Sequence, residues 1–314
     1  MAVTYDAATA RSALGGRGAV VTIGAYDGVH RGHRSVIDEV RRLAADRDCA
    51  SAVVTFDRHP AAVVRPESAP CCLVDLEQKL ALLDASGVDL VFVIHFDTER
   101  ASETAEDFVN EVLIDALQAR AVVVGHDFHF GRDRGGNVEL LARKGAVHGF
   151  DVLGLRLLGD GTEAVSSTRI RRLLSEGDVA AAGELLGRAH QVDGTVAHGD
   201  KRGRELGFPT ANVVVPTGIC LPADGIYAAW FDTADGTPHA AAVSLGRRPT
   251  FYDDAEHSVL EAYLLDFDGD LYDQRASVRF VARLRSEAKF TTAAALVEQM
   301  HRDVAATRAS LSPG

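Results

Sequence analysis

Apolar runs and amphipathic segments alternate along the first half of the chain. Five of the apolar runs are rich in Val, Ile and Leu and have the length of buried β-strands. Between them, apolar residues recur at helical spacing, most clearly over residues 105–117. This alternation predicts an α/β domain built on a doubly wound parallel sheet. The predicted strands are residues 19–23, 52–56, 90–96, 121–125 and 152–157, and the predicted helices are residues 35–45, 76–86, 105–117, 138–144 and 170–175.

The pattern changes near residue 191. Short β-like runs follow one another, separated by turns of Gly, Pro and Asp, with no helical segment between them. Regular short strands of this kind predict an all-β, six-stranded barrel, closed or nearly closed and antiparallel. We therefore expect two domains, residues 1–187 and 188–314. The predicted barrel strands are residues 191–197, 211–215, 226–231, 240–244, 259–266 and 276–282, and a terminal helix is predicted over residues 293–307.

Composition and charge narrow the class of protein. The 314 residues carry a formal net charge of -12, which argues against a basic surface for nucleic acid. No apolar run approaches the roughly 20 residues of a membrane helix. The first residues lack the basic and apolar regions of a signal peptide, so we expect a cytoplasmic protein with no nucleic-acid or membrane partner. Oligomeric state cannot be read from the sequence.

The most informative segment is residues 24–33, between a predicted strand and a predicted helix. Its glycines and the Asp27-Gly28 turn let the backbone approach a ligand closely. His30 and His33 fall at the helix N-terminus, where free N–H groups favour an anion. The segment therefore indicates a phosphate-binding loop. The alternative is a pair of solvated histidines; zinc is less favoured, because no third ligand stands at metal spacing.

Two further clusters belong to the first half. Residues 166–171 contain three hydroxyl side chains followed by Arg169. A cation in the first turn of a helix is unfavourable with the helix dipole, so we expect Arg169 to face a bound anion. Ser167 and Thr168 could instead be ordinary helix caps. Residues 125–131 alternate aromatic and polar side chains, as expected of a pocket for a flat ring or of a packed turn. Residues 55–60 also follow a strand, so we expect them at the same sheet edge.

In the second half, residues 194–212 are rich in glycine but lack the GxxxxGK[ST] spacing of a P-loop. A long hairpin loop is the alternative to a nucleotide site. Thr210 and Asn212 face one way along the start of a strand, and oxygen ligands of this kind suit Mg²⁺ bridged to ATP. Glu261 alternates with apolar neighbours on a later strand, where a charged residue is most often solvated.

Taken together, the motifs of the first half resemble the nucleotidylyltransferase module of the bacterial bifunctional riboflavin kinase/FMN adenylyltransferase (FAD synthetase) family. The second half looks like its riboflavin kinase module, a small β-barrel. The resemblance covers residues 19–308. The motifs are G-x-[FY]-D-G-x-H-x-G-H at 24–33, T-F-x-x-H-P at 55–60, G-x-D-F-x-F-G at 125–131 and S-S-T-R-I-R at 166–171, then residues 199–212, 222–227, 246–251, 261–267 and 270–272.

The resemblance implies that Mg–ATP phosphorylates riboflavin to FMN and then adenylylates FMN to FAD, releasing pyrophosphate. It implies His30, His33 and Arg169 as catalytic residues of adenylyl transfer and Glu261 as the general base of the kinase. The implied phosphate-binding residues are Gly24, Tyr26, Asp27, Gly28, Ser167, Thr168, Gly199, Lys201, Gly203, Arg204 and Gly207; the implied flavin-binding residues are His59, Asp127, Phe128, Phe130 and Arg204; the implied Mg²⁺ ligands are Thr210 and Asn212.

Some positions depart from the family pattern. Arg58 and His129 stand where members often carry Pro and Arg. Arg247 and Arg248 stand where Thr-Asn is common, and Asp273 where Gly is common. These changes motivate one alternative, an FMN adenylyltransferase whose barrel binds flavin with weak or altered kinase activity. A flavin carrier without catalysis is the alternative of another class.

Overall fold

The computed structural model describes residues 1–156, 158–159, 163–198, 207–247 and 258–312. Contacts within the chain divide it into two compact units, Met1–Ser167 and Thr168–Gly314. In the described part, no helix is both long enough and apolar enough to cross a membrane.

The first unit is built on a six-stranded sheet in the order β1-β4-β3-β2-β5-β8, and all its pairings are parallel. All five predicted strands are present. Its strands are β1 (Ala2–Thr4), β2 (Ala19–Ile23), β3 (Ala50–Phe56), β4 (Leu90–Ile94), β5 (Ala119–Gly125) and β8 (Asp151–Leu155), and a separate hairpin is formed by β6 (His129–Phe130) and β7 (Gly136–Asn137). Its helices are α1 (Ala7–Leu14), α2 (Arg31–Asp46), α3 (Ala61–Val64), α4 (Leu76–Ala85), α5 (Thr98–Ser102), α6 (Ala105–Phe108) and α7 (Val138–His148), with 3-10 turns at Pro66–Ser68 and Arg132–Arg134.

Helices cover both faces of this sheet. Every residue of β2 is buried, and alternate residues belong to different core clusters because successive side chains point to opposite faces. Val21 packs in one cluster with Leu14 of α1, whereas Val20 packs in another with Val40 and Ala44 of α2. The predicted doubly wound parallel sheet is therefore confirmed.

The strand order reverses beside β2. From β2 the chain moves outward to β3 and β4, and it then returns to place β5 on the other side of β2. In open parallel sheets the crevice at such a reversal, beyond the carboxyl ends of the strands, is where ligands bind. The loops that follow β2, β3 and β5 border this crevice. These are the loops that carry the first three motifs.

The second unit is a closed antiparallel barrel of six strands in the order β10-β13-β12-β11-β14-β9, as predicted. Tyr227, Phe231 and Phe280 are its largest fully buried side chains. The elements are α8 (Ser167–Glu176), α9 (Val179–Leu186), β9 (His190–Ala197), β10 (Ala211–Val214), β11 (Gly225–Asp232), β12 (Pro238–Arg247), β13 (Ser258–Leu264), β14 (Arg275–Arg285) and the terminal helix α10 (Ala293–Leu311).

By contacts, α8 from Thr168 onward and α9 belong with the barrel. The N–H of Ala223 donates to the carbonyl of Leu174 at 2.9 Å, and the guanidinium of Arg283 donates to the carbonyl of Glu176 at 3.3 Å. Contacts thus divide the chain after Ser167, whereas the sequence predicted a boundary after residue 187, where the helices give way to barrel strands. That boundary stays a prediction about which segment folds alone.

The segment predicted as one α-helix over residues 105–117 begins as α6 and continues from Val109 to Ala116 as a π-helix. The same apolar residues face the core in either form, so the hydrophobic pattern does not distinguish them. A π-helical turn is rare and leaves the apolar stripe in place.

Candidate active sites in the two units

The loop after β2 has an unusual backbone. Three of its residues lie in the left-handed region, Tyr26 at φ 50°, Gly28 at φ 83° and Val29 at φ 37°. Only glycine adopts this region freely, and a β-branched residue there is a marked outlier. Strain of this kind persists where the surrounding structure imposes it, and it gathers at functional sites.

Neighbouring elements hold this loop through one carbonyl. The carbonyl of Ala25 accepts from the Thr55 hydroxyl at 3.2 Å and from Lys79 Nζ at 3.3 Å. Lys79 also donates to the carbonyl of Phe56 at 2.6 Å. Its side chain is 7% exposed, and burial lowers the pKa of its ammonium group. The ammonium group thus joins the loop after β2 to the end of β3.

Asp27 organises the loop. Its carboxylate accepts from the N–H of Leu73 at 2.8 Å and of Val74 at 3.4 Å. Its own carbonyl accepts the hydroxyl of Ser167, at the start of α8, at 2.9 Å. The carboxylate is therefore used to position backbone, and Ser167 lies beside the loop. The predicted role of Ser167 toward phosphate stays a prediction.

The two histidines stand at the N-terminus of α2. His30 is the cap residue, and its Nδ1 accepts from the N–H of His33 at 3.2 Å. The two rings stack with centroids 3.6 Å apart and planes 15° from parallel. Because Nδ1 of His30 is an acceptor, this hydrogen bond assigns the proton of a neutral His30 ring to Nε2.

His33 lies between His30 and Tyr26, whose ring centroid is 4.8 Å away. Burial is the main cause that lowers the pKa of His33 well below its usual 6.5, and the charges of His30 and Lys79 act in the same direction. Its Nδ1 is buried and has no hydrogen-bond partner among the described residues. The ring is therefore neutral near pH 7.

Gly32 completes this turn by close approach. A Cβ at Gly32 would lie 3.1 Å from the carbonyl oxygen of Val165 and 3.2 Å from the ring of His30. The first N–H groups of a helix have no partner within the helix. The N-terminus of α2 therefore presents both an imidazole and backbone donors, a combination suited to a phosphate.

The loop after β5 carries the third motif. Phe128 and Phe130 stack with centroids 5.4 Å apart, and Phe130 also contacts Phe108 of α6 at 5.5 Å. Asp127 is exposed, and its carbonyl accepts from Nδ1 of His129 at 2.7 Å. Phe128 and Phe130 are both half-buried and pack against the core of the sheet, whereas Asp127 is exposed to solvent.

At the ends of β3 and β4, His59 accepts the N–H of Ala61 on its Nδ1 at 3.1 Å. Close by in sequence, Asp57 bonds Nδ1 of His95 at 2.6 Å and the N–H of Phe96 at 3.0 Å. This carboxylate–imidazole pair lies at the same sheet edge as the loop after β2. Sequence reasoning did not single it out.

Thr168 and Arg169 follow Ser167 in the first turn of α8, so the helix starts earlier than the predicted residue 170. Thr168 is exposed and Arg169 is half-buried. Both belong to the second unit by contacts. Their predicted role toward pyrophosphate stays a prediction.

In the barrel, Glu261 lies on β13 directly between two neighbours, Asn212 of β10 and Ser244 of β12. Leu260 and Ala262, on either side of Glu261 in the strand, are fully buried in the barrel core. Alternation therefore places Glu261, Asn212 and Ser244 on the other face, where all three are half-buried.

The oxygen donors here fit Mg²⁺. Asn212 is paired with Glu261, and Thr210, half-buried like Asn212, lies two residues before it, just ahead of β10. Mg²⁺ prefers oxygen ligands and commonly shares them with substrate phosphates. In the described ranges, no three His, Cys, Asp or Glu side chains gather into a metal cluster. The donor set suits a metal ion that arrives with ATP.

Several predicted residues lie outside the described part of the chain. They are Gly199, Lys201, Gly203, Arg204 and Arg248. Gly207 is described and has φ 83°, a conformation that favours glycine. Asp273 has φ 62°, which explains why glycine suits this position and why Asp, one of the few other residues tolerated there, can replace it.

Lys79 is the main residue that sequence reasoning missed. On α4 it shares the buried face with Leu83, one helical turn away. A lysine on an otherwise apolar helix face was the available signal, since a buried ammonium group needs nearby acceptors. For Ser244 the sequence offered no signal, because its importance comes only from strand pairing.

Two family models match the chain, FAD synthetase over residues 15–169 and riboflavin kinase over residues 186–311. The bifunctional riboflavin kinase/FMN adenylyltransferase of Pseudomonas fluorescens is 39% identical over 95% of this chain and 94% of its own length. The bifunctional riboflavin kinase/FMN adenylyltransferase of Listeria monocytogenes is 36% identical over 92% of this chain and 91% of its own length. A solved structure described as a macrolide-efflux protein from Streptococcus pneumoniae is 29% identical, with a TM-score of 0.86 over 98% of both chains. The chain belongs to the family of bifunctional riboflavin kinase/FMN adenylyltransferases.

Proposed function

We propose that this enzyme makes FMN from riboflavin in the barrel and FAD from FMN in the α/β unit, with ATP as co-substrate of both steps. The family assignment over both halves supports the two activities. The observation that carries the first site is the stacked His30–His33 pair at the N-terminus of α2. For the second site it is Glu261, held opposite Asn212.

In adenylyl transfer, a phosphate oxygen of FMN attacks the α-phosphorus of ATP. The bond from the α-phosphorus to the oxygen bridging to the β-phosphorus breaks, and pyrophosphate leaves with that electron pair. No covalent enzyme intermediate is needed, so positioning and stabilisation of the developing charge supply the rate.

His30 donates from Nε2 to a phosphate oxygen of ATP, since its Nδ1 is occupied by the N–H of His33. His33 binds as a neutral imidazole, because burial keeps its pKa low. A neutral donor stabilises negative charge that grows in the transition state without a permanent ion pair in the ground state. The backbone N–H groups of α2 add to this field.

Gly24, Tyr26, Asp27 and Gly28 shape the loop around the ATP phosphates, and Asp27 acts through the backbone it holds. Ser167, Thr168 and Arg169 bind the pyrophosphate that leaves. A guanidinium suits this role because it bonds two phosphate oxygens at once.

The flavin side of this site is assigned to the loops after β3 and β5. His59, Asp127, Phe128 and Phe130 line it. Phe128 offers a ring for the flat isoalloxazine, and Asp127 offers an acceptor for its polar edge. The phosphate of FMN is then directed toward the loop after β2.

In the kinase reaction, Glu261 takes the proton from the terminal hydroxyl of the ribityl chain as its oxygen attacks the γ-phosphorus of ATP. The bond from the γ-phosphorus to the bridging oxygen breaks, and ADP leaves. Thr210 and Asn212 hold Mg²⁺ with the ATP phosphates. When bound, the metal ion neutralises phosphate charge. Gly199, Lys201, Gly203, Arg204 and Gly207 are assigned to the phosphates, and Arg204 also to the flavin.

The test is a two-product assay on the purified full-length chain. With riboflavin, ATP and Mg²⁺, chromatography should detect FMN and then FAD. FAD from added FMN, with none from riboflavin, would support the alternative with a weak kinase half. Nothing in either family match favours that alternative.

Cytoplasmic location stays a prediction, which cell fractionation tests.

A further inference from the structure

The amino ends of four neighbouring strands, β3, β2, β5 and β8, border an open cleft of about 450 Å³ in the first unit. Because the strands are parallel, this edge lies opposite the edge that carries the histidines. Three arginines and only one carboxylate line it. The lining residues are Arg17, Arg47, Cys49, Arg120, Gly149 and Asp151.

In the part of the chain that the structure describes, two of the three guanidiniums are unpaired. Arg47 bonds Asp151 at 2.8 Å and the carbonyl of Arg120 at 3.1 Å. Within the described ranges, no hydrogen bond or ion pair engages the guanidinium of Arg17 or Arg120. Asp89, on which Arg17 acts electrostatically, already accepts from the N–H and hydroxyl of Ser51 at 2.8 and 2.7 Å.

The cleft is built on rigid backbone. Arg120 lies within β5, and its Nε is 3.0 Å from the place that a Cβ on Gly18 would take. Gly18 itself has φ 70°, and its carbonyl accepts the N–H of Ala50 at 3.0 Å. The side chain of Arg120 therefore starts from a strand residue, and that of Arg17 from the bend two residues before β2, which lowers the entropic cost of binding.

The lining carries three guanidiniums against one carboxylate, which leaves a local excess of positive charge in a chain of net charge -12. An anion would offset this charge, and guanidiniums bond phosphate oxygens in pairs. Among the described residues, no aromatic side chain lines the cleft, so the lining contacts charge but not a base or flavin ring. Two unpaired guanidiniums match two adjacent phosphate groups.

We propose that this cleft is a second anion site, separate from both reaction sites, that binds a diphosphate group. The group can come from inorganic pyrophosphate or from the tail of ADP. The site does not depend on the residue roles proposed above. Each of the two free guanidiniums contributes about tenfold to affinity, as expected of a charge-assisted hydrogen bond.

Cys49 provides a local readout, since it lines the cleft and has a free, half-buried thiol. The full-length protein is alkylated with iodoacetamide at constant ionic strength, and modification of Cys49 is followed by peptide mass spectrometry. Pyrophosphate should slow the reaction at Cys49 saturably. In R17Q/R120Q the protection should require about 100-fold more ligand. R42Q is the matched control, because Arg42 is an exposed arginine of α2 already paired with Glu39 and Asp46.

Further measurements of the same protection identify the ligand. ADP protecting at lower concentration than pyrophosphate identifies the nucleotide tail as the source, and the reverse identifies free pyrophosphate. R17K/R120K, which keeps the charge but loses the paired hydrogen bonds, should protect weakly. Equal protection by inorganic phosphate or chloride would overturn the diphosphate assignment. No protection by any ligand, or full protection in R17Q/R120Q, would overturn the site itself.

Discussion

The imidazoles of His30 and His33 stack at 3.6 Å, and the backbone N–H of one residue bonds the ring of the other. This arrangement fixes a proton on the far nitrogen of His30 while burial keeps His33 neutral. The two rings are thus stacked and oriented, and His33 is neutral. Their role as donors to a phosphate stays a prediction.

Replacing His33 with Ala should reduce FAD formation from FMN at least about 100-fold, because charge stabilisation at the transferred phosphate is lost. FMN formation from riboflavin should stay near the wild-type rate. Initial rates of both steps, measured by chromatography, check this. His148→Ala, at the exposed end of α7, is the control and should change neither rate. Loss of both reactions in His33→Ala would contradict one site per unit.

Lys79→Met should lower FAD formation about 10- to 100-fold, since the loop after β2 loses its link to β3 and small misplacements are costly. It should also raise the pKa of His33, because the positive charge of Lys79 is one of the causes that lowers it. The acid limb of the pH profile of kcat/KM for FAD formation then moves to higher pH. A purely structural role would lower the rate and leave that limb in place.

Lys144→Met is the matched control for this change, since Lys144 pairs with Glu106 away from the loop. FMN formation in Lys79→Met serves as a check on the barrel and should be unaffected. An unchanged rate and pH profile of FAD formation would show that Lys79 has no positioning role.

Glu261→Gln should slow FMN formation by about 10²–10⁴-fold, because the amide has the shape of the carboxylate but cannot take the proton. FAD formation from added FMN should continue. The control is Glu298→Gln on α10, where the carboxylate is exposed and paired with Arg302 at 3.5 Å. A kinase rate within about twofold of wild type would remove Glu261 from its proposed role.

Chelation of Mg²⁺ should stop FMN formation, and restoring the ion should recover it. In Asn212→Ala, which removes one oxygen ligand, the Mg²⁺ concentration for half-maximal kinase rate should rise. Titration of the kinase rate with Mg²⁺ at fixed ATP measures this. A curve identical to wild type would place the metal ion elsewhere.

The barrel should lose stability in mild acid. His190 is fully buried, donates to the carbonyl of Cys220 at 2.8 Å, and has a pKa lowered by burial to about 4. The unfolded chain takes up the proton near pH 6.5, so stability is complete above that pH and falls as the pH drops toward 4. Between about pH 7.5 and 5 the loss from this residue is about 2 kcal/mol.

Urea unfolding at the two pH values, followed by the fluorescence of Trp230 in the barrel strand β11, measures this loss. His190→Gln should unfold with a smaller difference between the two pH values. His239→Gln, on a barrel position that is not fully buried, should keep the wild-type difference. Equal pH dependence in wild type and His190→Gln would exclude His190 as the cause.

Much of the fold could be predicted because its signals are local. The strands of the sheet are short apolar runs, and the barrel strands are separated by turn residues. The edge strand β1 was missed, because three residues at the sheet margin leave no pattern. Helix α1 was missed for a related reason, since only Ala10 and Leu14 of it are buried.

The site was predicted where it depends on chain order and missed where it depends on pairing between distant elements. Residues 24–33 could be placed at a strand-to-helix junction from the sequence alone. That Ser244 flanks Glu261, or that His95 bonds Asp57, follows from strand pairing and loop packing. Arg17 and Arg120, at the opposite edge of the sheet, come from two segments far apart in the chain, which no linear pattern brings together.

The carbonyl of Ala25, bonded by Thr55 and Lys79, has a consequence for inhibitor design. A loop tied in this way is preformed, so a compound that binds it need not supply the free energy of ordering it. Rigid, compact inhibitors shaped to the loop should therefore outperform flexible ones that copy the whole nucleotide.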